Sequence, residues 1–163
     1  MPLSSSIATR LQFQHLGIRE FTAEISPEAL RYQVNPGKWS VFENVAHLAA
    51  YQPVFLDRLA RLDREASPAF DRYIAESDPH FQGYLEKSPD ELLACIDSDR
   101  ALIRSTLDSP GEIFLEKTGL HPMYGLLTVR EWTEFFLLHE AHHLFTIFRL
   151  VQGLKERQSP LIE

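Results

Sequence analysis

Histidines 139 and 143, one helical turn apart within His139-Glu140-Ala141-His142-His143, are the residues of this chain best spaced to do chemistry. At roughly 100° per residue, Trp132, Phe136, His139, His143, Thr146 and Leu150 fall on one narrow stripe of a helix. An i, i+4 pair brings two imidazoles close enough to share one ion. Two polar rings in an apolar stripe need partners, because burying them unpaired costs on the order of 1–3 kcal/mol each. A metal satisfies both at once; the alternative is a pair of core histidines held by ordinary hydrogen bonds. His142 falls roughly 100° round from His143 and is left out of the ligand set.

A third ligand has to come from another helix. His47 is the candidate, sharing a face with Glu43, Tyr51 and Val54. Three neutral imidazoles suit Zn, Ni, Fe or Cu better than Mg or Ca, which prefer oxygen. The expected cofactor is therefore one divalent transition metal, zinc or nickel foremost. Three protein ligands leave a coordination position for water or substrate. Three further groups are candidates for catalysis. Glu43, one turn before His47, can orient that ring or accept a proton, or simply complete a helix cap. Tyr51 can donate to a bound ligand, or serve as a core aromatic with one satisfied hydroxyl. His121 can act as an acid or base, or shape a turn with Pro122. His15 and His80 show no partner pattern. Cys95 belongs to no reactive motif and reads as a small buried filler.

The elements that must position these groups start with strong local signals. Ser40-Val-Phe-Glu43, Ser88-Pro-Asp-Glu91 and Thr128-Val-Arg-Glu131 each place a hydroxyl three residues before a carboxylate, the capping box of a helix N-terminus. The first predicts a helix to about Arg64, bent at Pro53. The second predicts one with Pro89 at its first position, ending near Ser109 before Pro110-Gly111. The third predicts one to about Gln152 with Gly153 as its C-terminal cap. A more weakly capped helix is expected from about Ser6 to Ala23, with a short turn after Ser26-Pro27 and a loop at Asn35-Pro36-Gly37. Residues 65–87 read as mixed with one short helix, and residues 110–127 as a long loop. No alternating apolar pattern predicts a sheet. Four long helices imply an all-α four-helix bundle in a single domain over residues 1–163.

Bulk properties narrow the function classes. The net charge is -7, with no run of Lys or Arg, which argues against a nucleic-acid partner. No stretch approaches the apolar length needed to cross a bilayer, and residues 1–10 lack the form of a secretory signal, so a cytoplasmic location and no membrane partner are expected. A single cysteine makes no internal disulfide. On the last helix, Leu137, Ala141, Leu144 and Phe148 group within roughly 60° opposite the histidine stripe. This second apolar face needs a cover, either the first helix or the 65–87 segment, or the same face of a second protomer.

Three blocks of residues resemble the DinB-like family, the DinB/bacillithiol-transferase superfamily of metal-dependent enzymes. They are Pro36-Gly37-Lys38-Trp39-Ser40-Val41-Phe42-Glu43 followed by His47-Leu48; His121-Pro122, Gly125 and Leu127-Thr128-Val129; and His139-Glu140-Ala141-His142-His143. They stand in the family's order and span about residues 11–152. The resemblance implies an up-down-down-up bundle, often dimeric, with a divalent metal held by one histidine of the second long helix and two of the last. His47, His139 and His143 match those places. It further implies transfer of a low-molecular-weight thiol, such as bacillithiol or mycothiol, onto an electrophilic small molecule. Metal-dependent hydrolysis and a non-catalytic, metal-stabilised dimeric module are the alternatives. Relatives often carry Gln three residues after the last ligand, where this chain has Thr146. DNA binding does not follow from the family name.

Overall fold

The structure, a computed structural model, describes residues 3–108 and 112–158. Its helices are α1 (Ser5–Phe13), α2 (Gly17–Thr22), α3 (Pro27–Leu30), α4 (Val41–Arg64), α5 (Phe81–Leu85), α6 (Pro89–Asp108), α7 (Glu112–Leu115) and α8 (Val129–Gln158). Two short strands, β1 (Thr118–His121) and β2 (Gly125–Thr128), lie between α7 and α8. All three capping boxes are formed. Ser40, Ser88 and Thr128 each accept from the backbone N–H of the glutamate three residues on, and each of those carboxylates accepts from the capping residue's own N–H. Ser26 caps α3 through Ala29 N–H.

Cross-helix contacts give the directions. Arg10 pairs with Glu134, Gln14 with Glu140, Phe21 with Phe148, and Lys155 with Glu24, so α1–α2 runs parallel to α8. Asn44 meets His143, His47 meets His139, and Phe55 meets Phe136, so α4 is antiparallel to α8. Arg19 meets Asp97 while Arg100 reaches the carbonyl of Leu11, so α6 is antiparallel to α1–α2. The result is an up-down-down-up four-helix bundle. Parallel α4 and α6 need a connection that returns the length of the bundle. Residues 65–88 supply it, and they form one wall of the site described below. Among the described residues no helix is long and apolar enough to cross a membrane.

Several sequence expectations are corrected. The first helix is broken by a tight 3-10 turn at Gln14–Leu16, which lets Gln14 Nε2 donate to both the Leu137 carbonyl and Glu140. Residues 112–128 are not a loop without a sheet. They hold α7 and an antiparallel hairpin with Thr118 opposite Thr128 and His121 opposite Gly125. Gly125, the first residue of β2, has φ +76°, a left-handed conformation that glycine adopts without a Cβ clash. A Cβ at Gly119 would stand 2.8 Å from both Leu62 Cδ2 and Phe70 Cε2, so only glycine lets β1 lie against the core. Gly153 does not end the last helix, which continues to Gln158. A Cβ there would stand 3.0 Å from Val34 Cγ1; this glycine admits the 30s loop. α4 runs through Pro53 to Arg64, the extent its capping box implied. The predicted breaker Pro110-Gly111 lies outside the described residues, and Cys95 is half-buried rather than buried.

The second apolar face of α8 is covered mainly from within the chain. Leu137 is buried and Leu144 lies beside Gly17 and the core. Leu138, Phe145 and Phe148 remain 57%, 62% and 43% exposed.

Candidate metal centre

His47 rides on the second turn of α4, and His139 and His143 face it from α8. One ring nitrogen from each of the three lies within 4.8 Å of the others. His47 Nε2 and His139 Nε2 are 3.0 Å apart. Two nitrogens placed tetrahedrally at 2.0–2.1 Å from one zinc stand about 3.3 Å apart, so the observed spacing suits a shared ion. His142 is exposed and touches only the edge of the His143 ring, 5.3 Å between centroids.

A neighbouring amide sets the tautomer of His143. Asn44 Nδ2 donates to the Ser40 carbonyl at 2.8 Å, which leaves Oδ1 as the acceptor facing His143 Nδ1 at 2.9 Å. Nδ1 must therefore carry the proton, and the Nε2 lone pair is free for an ion. The other two rings are less well served. Nδ1 of His47 and of His139 is buried with no hydrogen-bond partner among the described residues. Those two nitrogens are not the ones that converge; the cluster turns the Nε2 atoms of His47 and His139 toward each other. Its donor set fits a borderline-soft divalent ion, which takes up the inward-facing lone pairs together.

Burial also keeps the rings neutral. Desolvation lowers His47 to about 4, with the Glu76 carboxylate opposing it. Desolvation first, then the charges of His47, His142 and Arg58, lowers His139 to about 3. Desolvation, then His139, His47 and His142, lowers His143 to about 2. His15, buried against α6, falls to about 4 for the same first reason. Each folded-state value lies below the ordinary histidine value of about 6.5. As pH falls from about 6.5 toward 4, the unfolded chain binds protons that the native one refuses, and stability declines. The urea midpoint of metal-free protein is expected to drop steadily from pH 7 to pH 4.5; a flat midpoint would contradict these environments.

The three rings border a cavity of about 370 Å³. Trp39 packs on His47 at 5.0 Å, Tyr73 at 5.7 Å, and Tyr51 on His139 at 4.5 Å between centroids. This aromatic wall keeps water from the rings' flanks. Tyr51 lines the cavity and its hydroxyl accepts from Arg58 Nη1 at 2.8 Å; burial raises its pKa against the opposing Arg58 charge. His121 lines the cavity as well. Its Nδ1 accepts from the backbone N–H of Met123 and Tyr124 at 3.1 and 3.2 Å, so it both shapes the hairpin turn and carries its proton on Nε2. Burial, then Arg58, lowers its pKa. Glu43 stands apart. Its carboxylate accepts from Ser40 N–H at 2.7 Å in the α4 cap, and it does not border the cavity.

Asn44, Trp39, Arg58 and Tyr73 are the neighbours that sequence reasoning missed. Asn44 and Trp39 carried a signal, since both flank the cap that places His47. Asn44→Ala is expected to weaken zinc affinity about 10–100-fold, whereas Glu43→Gln should leave it unchanged and cost only helix stability. Competition with a chromophoric chelator separates the two; a larger affinity loss in Glu43→Gln would reverse the assignment.

The chain belongs to the DinB superfamily, whose family model matches residues 13–147. No curated protein matches the sequence. Among solved structures, it is similar to YfiT from Bacillus subtilis, described as a probable metal-dependent hydrolase with an unusual four-helix bundle topology. That likeness has TM-score 0.78 at 17% identity and covers 92% of this chain and 86% of that one. A DinB-like protein, YjoA, from Bacillus subtilis matches with TM-score 0.63 at 14% identity, covering 98% of each chain. TT2238, described as a four-helix bundle protein, matches with TM-score 0.64 at 23% identity, covering 87% of this chain and 95% of that one. At these identities the structural likeness speaks for the fold.

Proposed function

We propose that this protein binds one divalent transition metal, zinc or nickel, through His47, His139 and His143, and transfers a low-molecular-weight thiol to an electrophilic small molecule. The observation that carries this reading is the convergence of three neutral imidazole nitrogens from two helices beside a cavity of about 370 Å³. When bound there, the ion supplies Lewis acidity and lowers the pKa of a nucleophile that joins it. The protein's own groups do the rest. Asn44 holds the His143 tautomer. Trp39, Tyr51 and Tyr73 exclude water from the rings. Tyr51 keeps its proton because burial disfavours the phenolate, against the opposing charge and hydrogen bond of Arg58, and His121 offers Nε2–H from the hairpin side.

An all-neutral donor set leaves the full charge of the ion to attract an anionic sulfur, which supports thiol transfer. Metal-dependent hydrolysis is the second reading, favoured by the description of YfiT. Elemental analysis of purified protein, followed by assays of chlorodinitrobenzene consumption with low-molecular-weight thiols and of ester hydrolysis without them, tests both. Thiol-dependent, chelator-sensitive turnover is the expected result. Chelator-sensitive ester cleavage without thiol dependence would favour the second reading. A protein that takes up no metal would overturn both.

We also propose a homodimer through Phe148, the exposed member of the second apolar face of α8, together with the adjacent exposed Leu138 and Phe145. Light scattering is expected to give twice the chain mass for wild type and less for Phe148→Glu. A wild-type monomer at micromolar concentration would rule the dimer out.

A further inference from the structure

The charge inventory around the three-histidine cavity does not balance at Arg58. This residue is 6% exposed and borders the cavity. Its guanidinium donates through Nη1 to Tyr51 Oη at 2.8 Å and through Nη2 to the Asp71 carbonyl at 2.9 Å. The Trp132 ring lies 5.2 Å from its Cζ, and the Phe70 and Tyr51 rings 5.6 Å. Both hydrogen-bond partners are neutral, and no ion pair of Arg58 occurs among the described residues. Asp71 contributes its carbonyl to Arg58; Asp71 and Glu76 also line the cavity, but both residues are exposed. The other buried arginine, Arg100, has a carboxylate partner in Glu140. A buried guanidinium without one is costly, and aromatic rings recover only part of that cost. The Tyr51 ring neighbours both Arg58, 5.6 Å from its Cζ, and the His139 ring, at 4.5 Å between centroids.

We propose that Arg58 is the anion-binding group of this cavity, and that its ligand is a small organic acid whose carboxylate pairs with the guanidinium while its reacting end lies at the three histidines. The place of the reacting end rests on the metal reading above; the selection of charge does not. A guanidinium offers five N–H donors, of which two are committed to Tyr51 and Asp71. The rest are available for a carboxylate, the partner whose geometry the fork matches. Tyr51 then links the two halves of the site, its ring tilted 50° against that of His139 and its hydroxyl bonded to Arg58.

The test compares 3-mercaptopropionate, which carries a carboxylate, with 2-mercaptoethanol, which does not. Binding is followed by calorimetry and by the indole N–H resonance of Trp132, whose ring faces Arg58, on metal-free and zinc-loaded protein. Arg58→Met is expected to weaken 3-mercaptopropionate about tenfold to a hundredfold and to leave 2-mercaptoethanol unchanged. Because Arg58 also ties down the Asp71 carbonyl, Arg58→Lys is the second variant; it keeps the charge and should bind the acid more tightly than Arg58→Gln does. A purely structural arginine would change melting temperature without changing the preference for the acid. Equal affinity of wild type and Arg58→Met for the acid would overturn the proposal. So would failure of the acid to bind wild type in either form. If zinc does not bind, the metal reading fails, and the metal-free comparison still decides the role of Arg58.

Discussion

His139→Ala is expected to abolish stoichiometric zinc binding and, with it, the largest condition-dependent part of the protein's stability. An ion that binds only the native state stabilises it by RT ln(1 + [L]/Kd), about 4 kcal/mol when free metal exceeds Kd a thousandfold. For wild type loaded with zinc, excess EDTA should therefore lower the melting temperature by many degrees. For His139→Ala the same addition should do little, since two imidazoles remain and neither alone encloses the ion. His139 is the informative position because its Nε2 is the one that meets His47 across the helix interface. Circular dichroism melts with and without chelator, paired with metal content after dialysis, give the result. Equal shifts in the two proteins would mean that any metal is held elsewhere.

The second large effect lies one residue along α8 and on the opposite side of the site. Glu140 and Arg100 form an ion pair whose side chains are each 1% exposed. Arg100 also donates to Gln52 Oε1 at 3.3 Å and to the Leu11 carbonyl at 3.4 Å, and Gln14 donates to Glu140 at 2.9 Å. The network thus joins all four long helical stretches in the core. Replacing one partner strands the other charge without water. Glu140→Leu and Arg100→Met are each expected to destabilise by about 3–5 kcal/mol. That is a large share of the roughly 5–15 kcal/mol that holds a domain folded. The double variant Arg100→Met/Glu140→Leu should recover most of the loss, because an apolar pair of similar volume avoids the desolvation cost. Urea unfolding of all four proteins closes the cycle. Single variants costing under about 1 kcal/mol, or a double variant whose loss is the sum of the singles, would show that the pair is not coupled as its geometry indicates.

Whatever depends on residues three or four apart was legible in the sequence. The three capping boxes, the start of each long helix and the shared stripe of His139 and His143 are local, because backbone geometry alone fixes what lies one turn away. The number of long helices implied the bundle, and the order of the motifs implied the family. What required the tertiary structure is whatever depends on which helix face meets which. His47 stands against His139 because α4 packs antiparallel to α8, and nothing local to residue 47 says so. The hairpin had a weak local sign in Pro122 to Gly125, but four-residue strands are too short for an alternating pattern. Gly153 has the sequence form of a helix terminator, but Val34 packs against it inside a continuing helix; a glycine that admits a neighbour and one that ends a helix are the same letter. Arg58 carries no spacing signal, because its role comes from the carbonyl, rings and missing carboxylates that other segments bring to it. Only the packed chain decides whether a buried charge has a partner, since burial and partner both come from residues far away in sequence.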